Sequence, residues 1–264
     1  MQHLTVSLVQ SPLFWEDRER NLEMFTKKLQ DVEPSTELVV LPEMFTTGFT
    51  MQPKGVAESM EGRSMQWMQD LASAGGFVIS GSMIIEENGA FYNRLIWMPP
   101  DGNYACYDKK HLFTHAGEDK NYVPGSSRKI FLLKNWKIMP MICYDLRFPV
   151  WSRNKHAGEH GFDFDCMLNV ANWPASRSHA WRVLLMARAI ENQCYVIGLN
   201  RLGKDGNGID YSGDSAVIDP LGENISTLMP HEERVEKVVM TRCSLDGFRD
   251  TFRPWADWDS FTLI

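Results

Sequence analysis

Two apolar segments of this sequence end abruptly in residues that could take part in covalent or acid–base chemistry. The segment VVLP leads into Glu43, and the segment MPMI leads into Cys143. Ligands of open α/β sheets bind beyond the carboxyl ends of strands, so these two positions are candidates for a shared site. A thiol at a strand-to-helix turn lies near backbone N–H groups, which lower its pKa and can hold a developing oxyanion. From position alone, Cys143 is equally compatible with a packed core residue.

A second group of polar residues lies between these positions, in the segment YDKKHLF from Tyr107 to Phe113. A lysine is costly to bury unless it is paired, so two consecutive lysines at a strand end ordinarily form a solvated edge. In an extended strand, residues 107, 109 and 111 share one face and residues 108, 110 and 112 share the other. Only one of Lys109 and Lys110 can therefore point inward with Tyr107 and His111.

The elements that position these residues follow from the hydrophobic pattern, which alternates strands and helices along the chain. Fully apolar runs are typical of strands covered on both faces, and the segments PPDGN and Lys134-Asn135-Trp136 predict two hairpin turns. The expected helices are Arg18–Leu29 and Ser178–Asn192, with a further helix opening in Asp145–Trp151. The expected strands are Leu4–Val9, Leu38–Leu41, Phe77–Ile85 with an interruption at Ser80-Gly81, Arg94–Met98, Tyr104–Tyr107, Lys129–Leu133, Lys137–Ile142, Cys166–Val170, Cys194–Leu199, Asp214–Ile218, Asn224–Thr227 and Val235–Met240.

No linker, low-complexity tract or internal repeat divides the 264 residues, so the sequence predicts one domain over residues 1–264. The chain has 27 Lys and Arg against 34 Asp and Glu, a net charge of −7, and no basic stripe. We therefore expect no nucleic-acid partner. No apolar run reaches the length of a membrane span and no export signal is visible, so a cytoplasmic protein without a membrane partner is expected.

The five cysteines are an odd number, are widely spaced and form no CxxC pair. This pattern argues against a disulfide framework and against a cysteine-rich metal site. We expect no cofactor, and we expect that four of the cysteines are small buried hydrophobic residues.

Six motifs in this sequence resemble those of the nitrilase or carbon–nitrogen hydrolase superfamily, and they occur in the family's order. They are VVLPEMFTTGF, YDKKHLF, ICYDLRFP, NVANWP, RAIENQCYV and YSGDSAVIDPLGE, so the resemblance spans nearly the whole chain. It implies a four-layer αββα sandwich that dimerises through helices and an active site of Glu, Lys and Cys. The family places its lysine two residues before the motif's histidine, which selects Lys109. It also matches a second glutamate to Glu118 in AGEDKNYVPG.

The residues that the resemblance selects suit the hydrolysis of an amide. Glu43 would take the proton of Cys143 and later deliver a proton to departing ammonia. Lys109 and the backbone N–H of Tyr144 would stabilise the tetrahedral oxyanion, and Glu118 would hold Lys109 in place. The resulting thioester would be hydrolysed by water, with Glu43 again acting as base.

Within the superfamily, the chain resembles bacterial ω-amidases through CYDLRFPVWSRN, ANWP followed by Arg177, and NRLGKDGNG before YSGDS. Such enzymes hydrolyse the terminal amide of small monoamidated dicarboxylates, for example 2-oxoglutaramate or succinamate. The far carboxylate of such a substrate needs a cation or N–H donors. We expect Arg177 to make this contact and interpret Arg147 as a structural ion-pair partner. Phe45, Phe49 and Trp173 are candidates for lining a small pocket.

Specific sequence features bear on several alternative interpretations of the site and its function. Another amide, a nitrile or an N-carbamoyl compound would use the same residues. The segment HAGEH, residues His156 to His160, fits a zinc pattern that needs a helix, but Gly158 and Gly161 favour a loop, so no metal site is predicted. A papain-like pairing with histidine lacks its local signature around Cys143. An inactive scaffold has no reason to retain three costly polar residues in one pocket.

Overall fold

The computed structural model describes residues 3–156, 158 and 161–263, in which four α-helices and thirteen strands are joined by turns and short 3-10 segments. The helices are α1 (Arg18–Leu29), α2 (Arg63–Gly75), α3 (Ser178–Asn192) and α4 (Arg242–Thr251). The strands are β1 (His3–Gln10), β2 (Leu38–Val40), β3 (Val78–Glu87), β4 (Ala90–Met98), β5 (Ala105–Asp108), β6 (Phe131–Leu133), β7 (Trp136–Ile142), β8 (Cys166–Ala171), β9 (Tyr195–Asn200), β10 (Leu202–Lys204), β11 (Asp210–Ser212), β12 (Ala216–Ile218) and β13 (Arg234–Thr241). No helix among the described residues is long and apolar enough to cross a membrane.

The strands form two mixed sheets and a small ribbon. The first sheet has the order β13-β1-β2-β3-β4-β5, and the second has the order β12-β9-β8-β7-β6. The central pairs β1–β2, β2–β3, β7–β8 and β8–β9 are parallel, whereas the outer pairs are antiparallel. The remaining strands, β10 and β11, form a two-stranded ribbon, and an isolated bridge joins Leu202 of β10 to Pro12.

The residues of β2 show why the chain forms four layers. Leu38 and Val40 belong to the apolar core that also contains the second sheet, whereas Val39 and Leu41 belong to the core beneath α1 and α2. Successive side chains of a strand point to opposite faces, so a fully apolar strand has to be covered on both sides. Helix α3 covers the far side of the second sheet through Trp181, Leu185 and Ala189. The αββα sandwich that the motifs imply is therefore confirmed.

An N-terminal cap and apolar residues at helical spacing explain why α1 forms and packs in the outer layer. It begins after Asp17, whose carboxylate accepts a hydrogen bond from the Arg20 N–H at 3.1 Å. Leu22, Phe25 and Leu29 recur at helical spacing and are buried. The bounds predicted for α1 and for α3 are those observed.

Several predicted elements differ from the structure. Strand β3 continues through Ser80-Gly81, because Gly81 is a site of close packing; a Cβ atom there would lie 2.8 Å from Cβ of Leu41. The helix expected in Asp145–Trp151 is a short 3-10 turn over Cys143–Arg147. In the segment Asn224–Thr227, only an isolated bridge from Asn224 to Ile218 is present.

The directions of the strands place the polar residues that follow their C-terminal ends in one region. Strand β5 runs in the direction of β2, since two antiparallel pairings separate it from β3, which is parallel to β2. Glu43 and Lys109 therefore follow strands that end at the same edge of the first sheet. Cys143 and Asn172 follow the parallel strands β7 and β8 of the second sheet. Four strand ends from two sheets thus build one site.

Candidate active site

Lys109, Glu43 and Glu118 form a buried ion cluster. Nζ of Lys109 lies 3.0 Å from Oε1 of Glu43 and 2.9 Å from Oε2 of Glu118, and the three side chains have no exposed surface. The backbone N–H of Phe113 also donates to Glu118 Oε2 at 2.6 Å. One ammonium is thus shared by two carboxylates in a region without bulk water.

The backbone around Lys109 explains why this lysine, and not Lys110, points inward. Although β5 ends at Asp108, the Lys109 N–H donates to the Asn93 carbonyl at 3.0 Å and so extends the ladder with β4 by one residue. On its other side, the Gly125 N–H donates to the Lys109 carbonyl at 2.8 Å. Lys110 is half-buried, and its ammonium lies 5.5 Å from the centre of the Trp151 ring. Strand parity therefore identifies the inward lysine.

The Glu43 carboxylate accepts hydrogen bonds from both sheets. Its Oε1 accepts from Nδ2 of Asn93 at 2.8 Å and from Lys109. Its Oε2 accepts from the backbone N–H of Asn172 at 2.7 Å. Nδ2 of Asn172 donates to the Glu43 carbonyl at 2.6 Å, which fixes the backbone as well. The position of Glu43 is thus determined by the packing of one sheet on the other.

Cys143 opens the 3-10 turn after β7 in a strained conformation. Its φ of 44° lies in the left-handed region, which is unfavourable for a residue with a side chain and is common at functional sites. The Cys143 N–H donates to Oδ1 of Asn169 at 2.9 Å, and Sγ lies 3.9 Å from the carbonyl oxygen of Asn172. The next N–H, that of Tyr144, belongs to the first turn of a helical segment, where backbone donors have no acceptor within the helix.

The electrostatic environment of Cys143 contradicts the expectation of a lowered pKa. Burial raises the pKa of the Cys143 thiol well above its ordinary value, and the Glu43 carboxylate raises it further, whereas Lys109 opposes both effects. Desolvation of the thiolate therefore outweighs the nearby N–H groups and the ammonium. A raised thiol pKa favours the neutral form, and a neutral thiol needs a base to become a nucleophile.

The carboxylates keep Lys109 charged. Burial alone would lower the pKa of Lys109, but the charges of Glu118 and Glu43 raise that pKa above its ordinary value. The pKa of Glu118 is itself raised, chiefly by burial and also by Glu43, with Lys109 acting in the opposite direction. An ammonium that stays protonated can stabilise an oxyanion without donating its proton away.

Asp145 joins the nucleophile turn to the lysine segment. Its Oδ2 accepts from the Tyr107 hydroxyl at 2.7 Å and from the Ile142 N–H at 3.0 Å. Its Oδ1 accepts from the His111 N–H at 2.9 Å and lies 2.8 Å from Nδ1 of that residue. His111 therefore supports Asp145, stacking on Phe148 at 3.7 Å, and is not part of the ion cluster.

A cavity of about 310 Å³ opens above Cys143 and Lys109. This size suits a small molecule. Phe49 and Trp173 contribute aromatic walls, as expected from the sequence. The residues that line the cavity are Trp15, Phe49, Thr50, Met51, Gln52, Lys109, Phe113, Ala116, Cys143, Tyr144, Arg147, Asn172, Trp173, Pro174, Arg177, Asp205, Asn207, Ile209 and Tyr211.

Phe45, which was expected to line the pocket, lies in the core instead. Its ring packs 5.8 Å from the rings of Phe25 and Trp67, between the first sheet and the outer helices. The chain turns sharply after Glu43, where Met44 has a φ of 44°, so alternation along an extended strand does not continue to residue 45.

Arg147 and Arg177 both line the cavity. The Arg147 guanidinium lies 4.6 Å from the centre of the Trp173 ring, and that of Arg177 lies 5.4 Å from the centre of the Phe113 ring. Neither has a carboxylate partner among the residues that the structure describes. The interpretation of Arg147 as a structural ion-pair partner is therefore wrong, and the cavity has two cations that are available to an anionic ligand.

A model of the carbon-nitrogen hydrolase family matches residues 5–251. The chain belongs to this family. In this carbon–nitrogen hydrolase, a thiol, a hydrogen-bonded carboxylate and a buried ammonium lie around one cavity. Such a set can deliver a nucleophile, move a proton and stabilise an oxyanion at a C–N bond.

Named proteins resemble this carbon–nitrogen hydrolase over most or all of their length. It is 42% identical over 263 residues to Omega-amidase YafV of Escherichia coli strain K12, with 100% of both chains covered. It is 32% identical over 221 residues to a 2-oxoglutaramate amidase of Bacillus subtilis, with 83% of each chain covered. A carbon–nitrogen hydrolase superfamily protein of Xanthomonas campestris, solved with an arsenic adduct in its active site, superposes with a TM-score of 0.97 at 41% identity over 100% of both chains.

The HAGEH segment of this carbon–nitrogen hydrolase lies only partly within the described residues. Ala157, Glu159 and His160 are outside them. His156 packs against Trp255, with the ring centres 4.0 Å apart.

Buried asparagines are the part of the site that the sequence prediction missed. Asn93 and Asn169 each interrupt an apolar strand, and Asn172 follows one directly. A buried amide is costly unless it has hydrogen-bond partners, so an asparagine inside an apolar strand is a usable signal for a polar network. In this carbon–nitrogen hydrolase, the three side chains bind Glu43 and the Cys143 backbone.

Proposed function

We propose that this carbon–nitrogen hydrolase removes the terminal amide of short dicarboxylic acid monoamides, such as succinamate or 2-oxoglutaramate, and releases ammonia and the dicarboxylate. The observation that carries the proposal is a small cavity with the thiol and ion cluster at one part of its wall and two unpaired guanidiniums at another. The names of the relatives from Escherichia coli and Bacillus subtilis agree with this substrate class.

The first half of the reaction forms a thioester. Glu43 accepts the Cys143 proton as Sγ attacks the amide carbon, and the oxyanion is held by the Lys109 ammonium and the Tyr144 N–H. Collapse of the tetrahedral species breaks the C–N bond, and protonated Glu43 gives its proton to the departing nitrogen. Ammonia leaves, and the acyl group stays on Sγ.

The second half returns the enzyme to its starting state. Glu43 accepts a proton from the attacking water, whose oxygen bonds to the thioester carbon. The second tetrahedral species collapses with cleavage of the C–S bond, and the proton on Glu43 returns to the thiolate. Because burial and Glu43 raise the pKa of the Cys143 thiol, this reprotonation is favourable. Glu118 keeps Lys109 in place throughout through two contacts of 2.9–3.0 Å.

We infer that Arg147 and Arg177 together recognise the far carboxylate of the substrate. A guanidinium matches the two oxygens of a carboxylate and stays charged when partly desolvated. An uncharged amide of the same length would leave both cations unpaired inside the cavity. Such a loss costs a few kcal/mol, so a preference of about a hundredfold or more in kcat/KM is expected.

The test measures ammonia release from succinamate and from butyramide. Wild type should prefer succinamate by about a hundredfold, and Arg147→Met and Arg177→Met should each reduce that preference. Arg253→Met is a matched control on the surface. Equal kcat/KM for the two amides in wild type would refute the substrate class. An undiminished preference in one arginine variant would assign the contact to the other arginine.

A second experiment tests the nucleophile. Cys143→Ala should abolish turnover of every amide, whereas Cys243→Ala, at an exposed cysteine, should leave it unchanged. In Cys143→Ser, mass spectrometry should find little acyl-enzyme because the less acidic hydroxyl is a weaker nucleophile. A Cys143→Ala enzyme with a tenth of wild-type activity would contradict the thioester mechanism.

A further inference from the structure

The indole of Trp15 forms a part of the cavity wall that the proposed chemistry does not use. Trp15 lies in the connection between β1 and α1 and lines the cavity beside the nucleophile and the arginines. Its side chain is half-buried. What holds this ring in place determines how much room an acyl group has.

The backbone on both sides of Trp15 is fixed by hydrogen bonds. The N–H and carbonyl of Phe14 bind the side-chain amide of Asn21 at 2.8 and 2.7 Å. The N–H of Glu16 donates to the Thr47 carbonyl at 2.8 Å, with Glu16 in a left-handed conformation. The Cα atom of Trp15 therefore has little freedom to retreat from the cavity.

Two glycines hold the ring itself. A Cβ atom on Gly206 would lie 2.4–2.6 Å from Nε1, Cδ1 and Cε2 of Trp15, so the five-membered ring lies directly on this backbone. A Cβ atom on Gly48 would lie 3.2 Å from Cε3, on the six-membered ring. Since two loops support the indole and its backbone is pinned, the remaining free direction is into the cavity.

We propose that Trp15 is a specificity-determining residue that restricts the acyl group to short, unbranched chains. The proposal rests on the amidase function proposed for this cavity, but it does not depend on carboxylate recognition. In a cavity of about 310 Å³, a fixed indole excludes additional methyl groups by contact. One methylene group in an apolar pocket changes kcat/KM by about tenfold or more.

The experiment compares kcat/KM for glutaramate and 3,3-dimethylglutaramate, and for the uncharged pair butyramide and 3,3-dimethylbutyramide. In Trp15→Ala, the ratio of branched to unbranched substrate should rise by about tenfold or more in both pairs. Trp15→Phe should show a smaller rise and serves if the alanine variant folds poorly. Trp258→Ala, at a tryptophan outside the cavity lining, should leave both ratios unchanged.

A double-mutant cycle tests the role of the glycine support. Gly206 has no left-handed φ, so Gly206→Ala introduces only a Cβ atom and should displace the indole into the cavity. We expect kcat/KM for glutaramate to fall by about tenfold in Gly206→Ala and to recover in Gly206→Ala/Trp15→Ala. Ratios unchanged in Trp15→Ala, or losses that simply add in the double variant, would overturn the proposal. If the wild-type enzyme did not prefer the carboxylate-bearing pair of amides over the uncharged pair, only carboxylate recognition would be refuted. The ratio within the uncharged pair would still test the role of Trp15.

Discussion

At the scale of single residues, Cys143 lies among groups that disfavour its charged form. Its left-handed backbone places Sγ at the cavity, while burial and the Glu43 carboxylate raise the pKa of the thiol well above its ordinary value. The charges of Glu43 and Glu118 disfavour a thiolate at this position, whereas Lys109 favours it. The proposed thioester mechanism therefore depends on transfer of the thiol proton to Glu43 during the reaction.

The raised pKa of Cys143 predicts the pH dependence of its alkylation. Thiolates are the reactive form, and free cysteine approaches its limiting rate about one pH unit above its pKa of about 8.5. About one pH unit above the pKa of free cysteine, the rate at which iodoacetamide alkylates Cys143 should still be rising with pH. Peptide mass spectrometry measures this rate. Glu43→Gln removes a charge that raises the pKa of Cys143, so the rise should shift to lower pH. If the alkylation rate of Cys143 reached its plateau at the same pH as that of free cysteine, the raised pKa would be contradicted.

Substitutions of the two adjacent lysines should have different effects on activity and stability. Lys109→Met removes the ammonium shared by Glu43 and Glu118, so activity should fall by about a hundredfold or more, with about 3–5 kcal/mol of stability lost. Lys110→Met should stay close to wild type, because its ammonium contacts an aromatic ring near the surface. Ammonia release and chemical denaturation measure the two effects.

A control separates the loss of the oxyanion contact from misfolding. In Lys109→Met/Glu118→Gln, one carboxylate is neutralised, so stability should largely recover while activity stays low. If Lys110→Met were the more damaging single variant, the assignment of the inward lysine would be wrong.

The sequence predicted the chemical residues better than the groups that hold them. Glu43, Lys109, Cys143 and Glu118 were selected through the motifs that contain them, and the structure brings them together. Phe45 was misplaced because the turn after Glu43 breaks the alternation of the strand. The pKa of Cys143 was expected to be lowered because local N–H groups are visible in a sequence, whereas desolvation depends on packing from both sheets.

At the scale of elements, the close contact between β3 and the residues after β2 supports the position of Glu43 from within the first sheet. A Cβ atom on Gly81 would lie 2.8 Å from Cβ of Leu41 and 3.1 Å from Cδ1 of Phe45. These two residues flank Glu43 in the sequence. A displaced β2 end would therefore carry the carboxylate with it.

Gly81→Ala should consequently reduce both stability and rate. Overpacking of this kind costs about 1–3 kcal/mol, and a misplaced carboxylate should lower kcat by about tenfold or more. Gly247→Ala in α4 is a matched control, since nothing lies within 4 Å of its added Cβ and alanine favours a helix. Thermal unfolding and ammonia release measure both. A Gly81→Ala enzyme with normal kcat would show that Glu43 is positioned independently of β3.

Elements with strong periodic patterns were predicted well, and those with weak end signals were not. Helices α1 and α3 match their predicted bounds. Both predicted hairpins are present, but Trp136 belongs to β7 and β5 begins one residue after Tyr104. Helix α2 follows Gly62, which provides no side-chain cap, and it escaped prediction. The hairpin between β3 and β4 turns at Asn88-Gly89, both with positive φ; this strong turn signal was overlooked.

At the scale of the whole molecule, the homodimer implied by the family resemblance stays a prediction. Val183 and Ile190 are 42% and 54% exposed on α3, seven residues apart and hence on one face of the helix. Light scattering should give twice the chain mass of 30.3 kDa. Val183→Glu/Ile190→Glu should halve that mass if α3 is the interface, whereas Val150→Glu, at an exposed valine outside α3, should not. A monomeric wild type would refute the prediction.

The order of the strands within the sheets could not be predicted from the sequence. The pattern predicts Val235–Met240 as a strand, but periodicity within a segment carries no information about its partner. The structure pairs β13 with β1 over all eight residues from His3↔Thr241 to Gln10↔Arg234. Such a contact depends on the tertiary arrangement of everything between the two strands.

The pairing of β1 with β13 also has a consequence for synthesis of the protein on the ribosome. Strand β1 is translated before β13, so the edge of β1 that pairs with β13 stays unpaired until the chain between the two strands has emerged. An open edge of this kind, with Leu4, Val6 and Leu8 still unburied, is a template for association with other nascent chains. Loop closure over such a separation is also slow. The first sheet is therefore completed only after β13 has emerged from the ribosome.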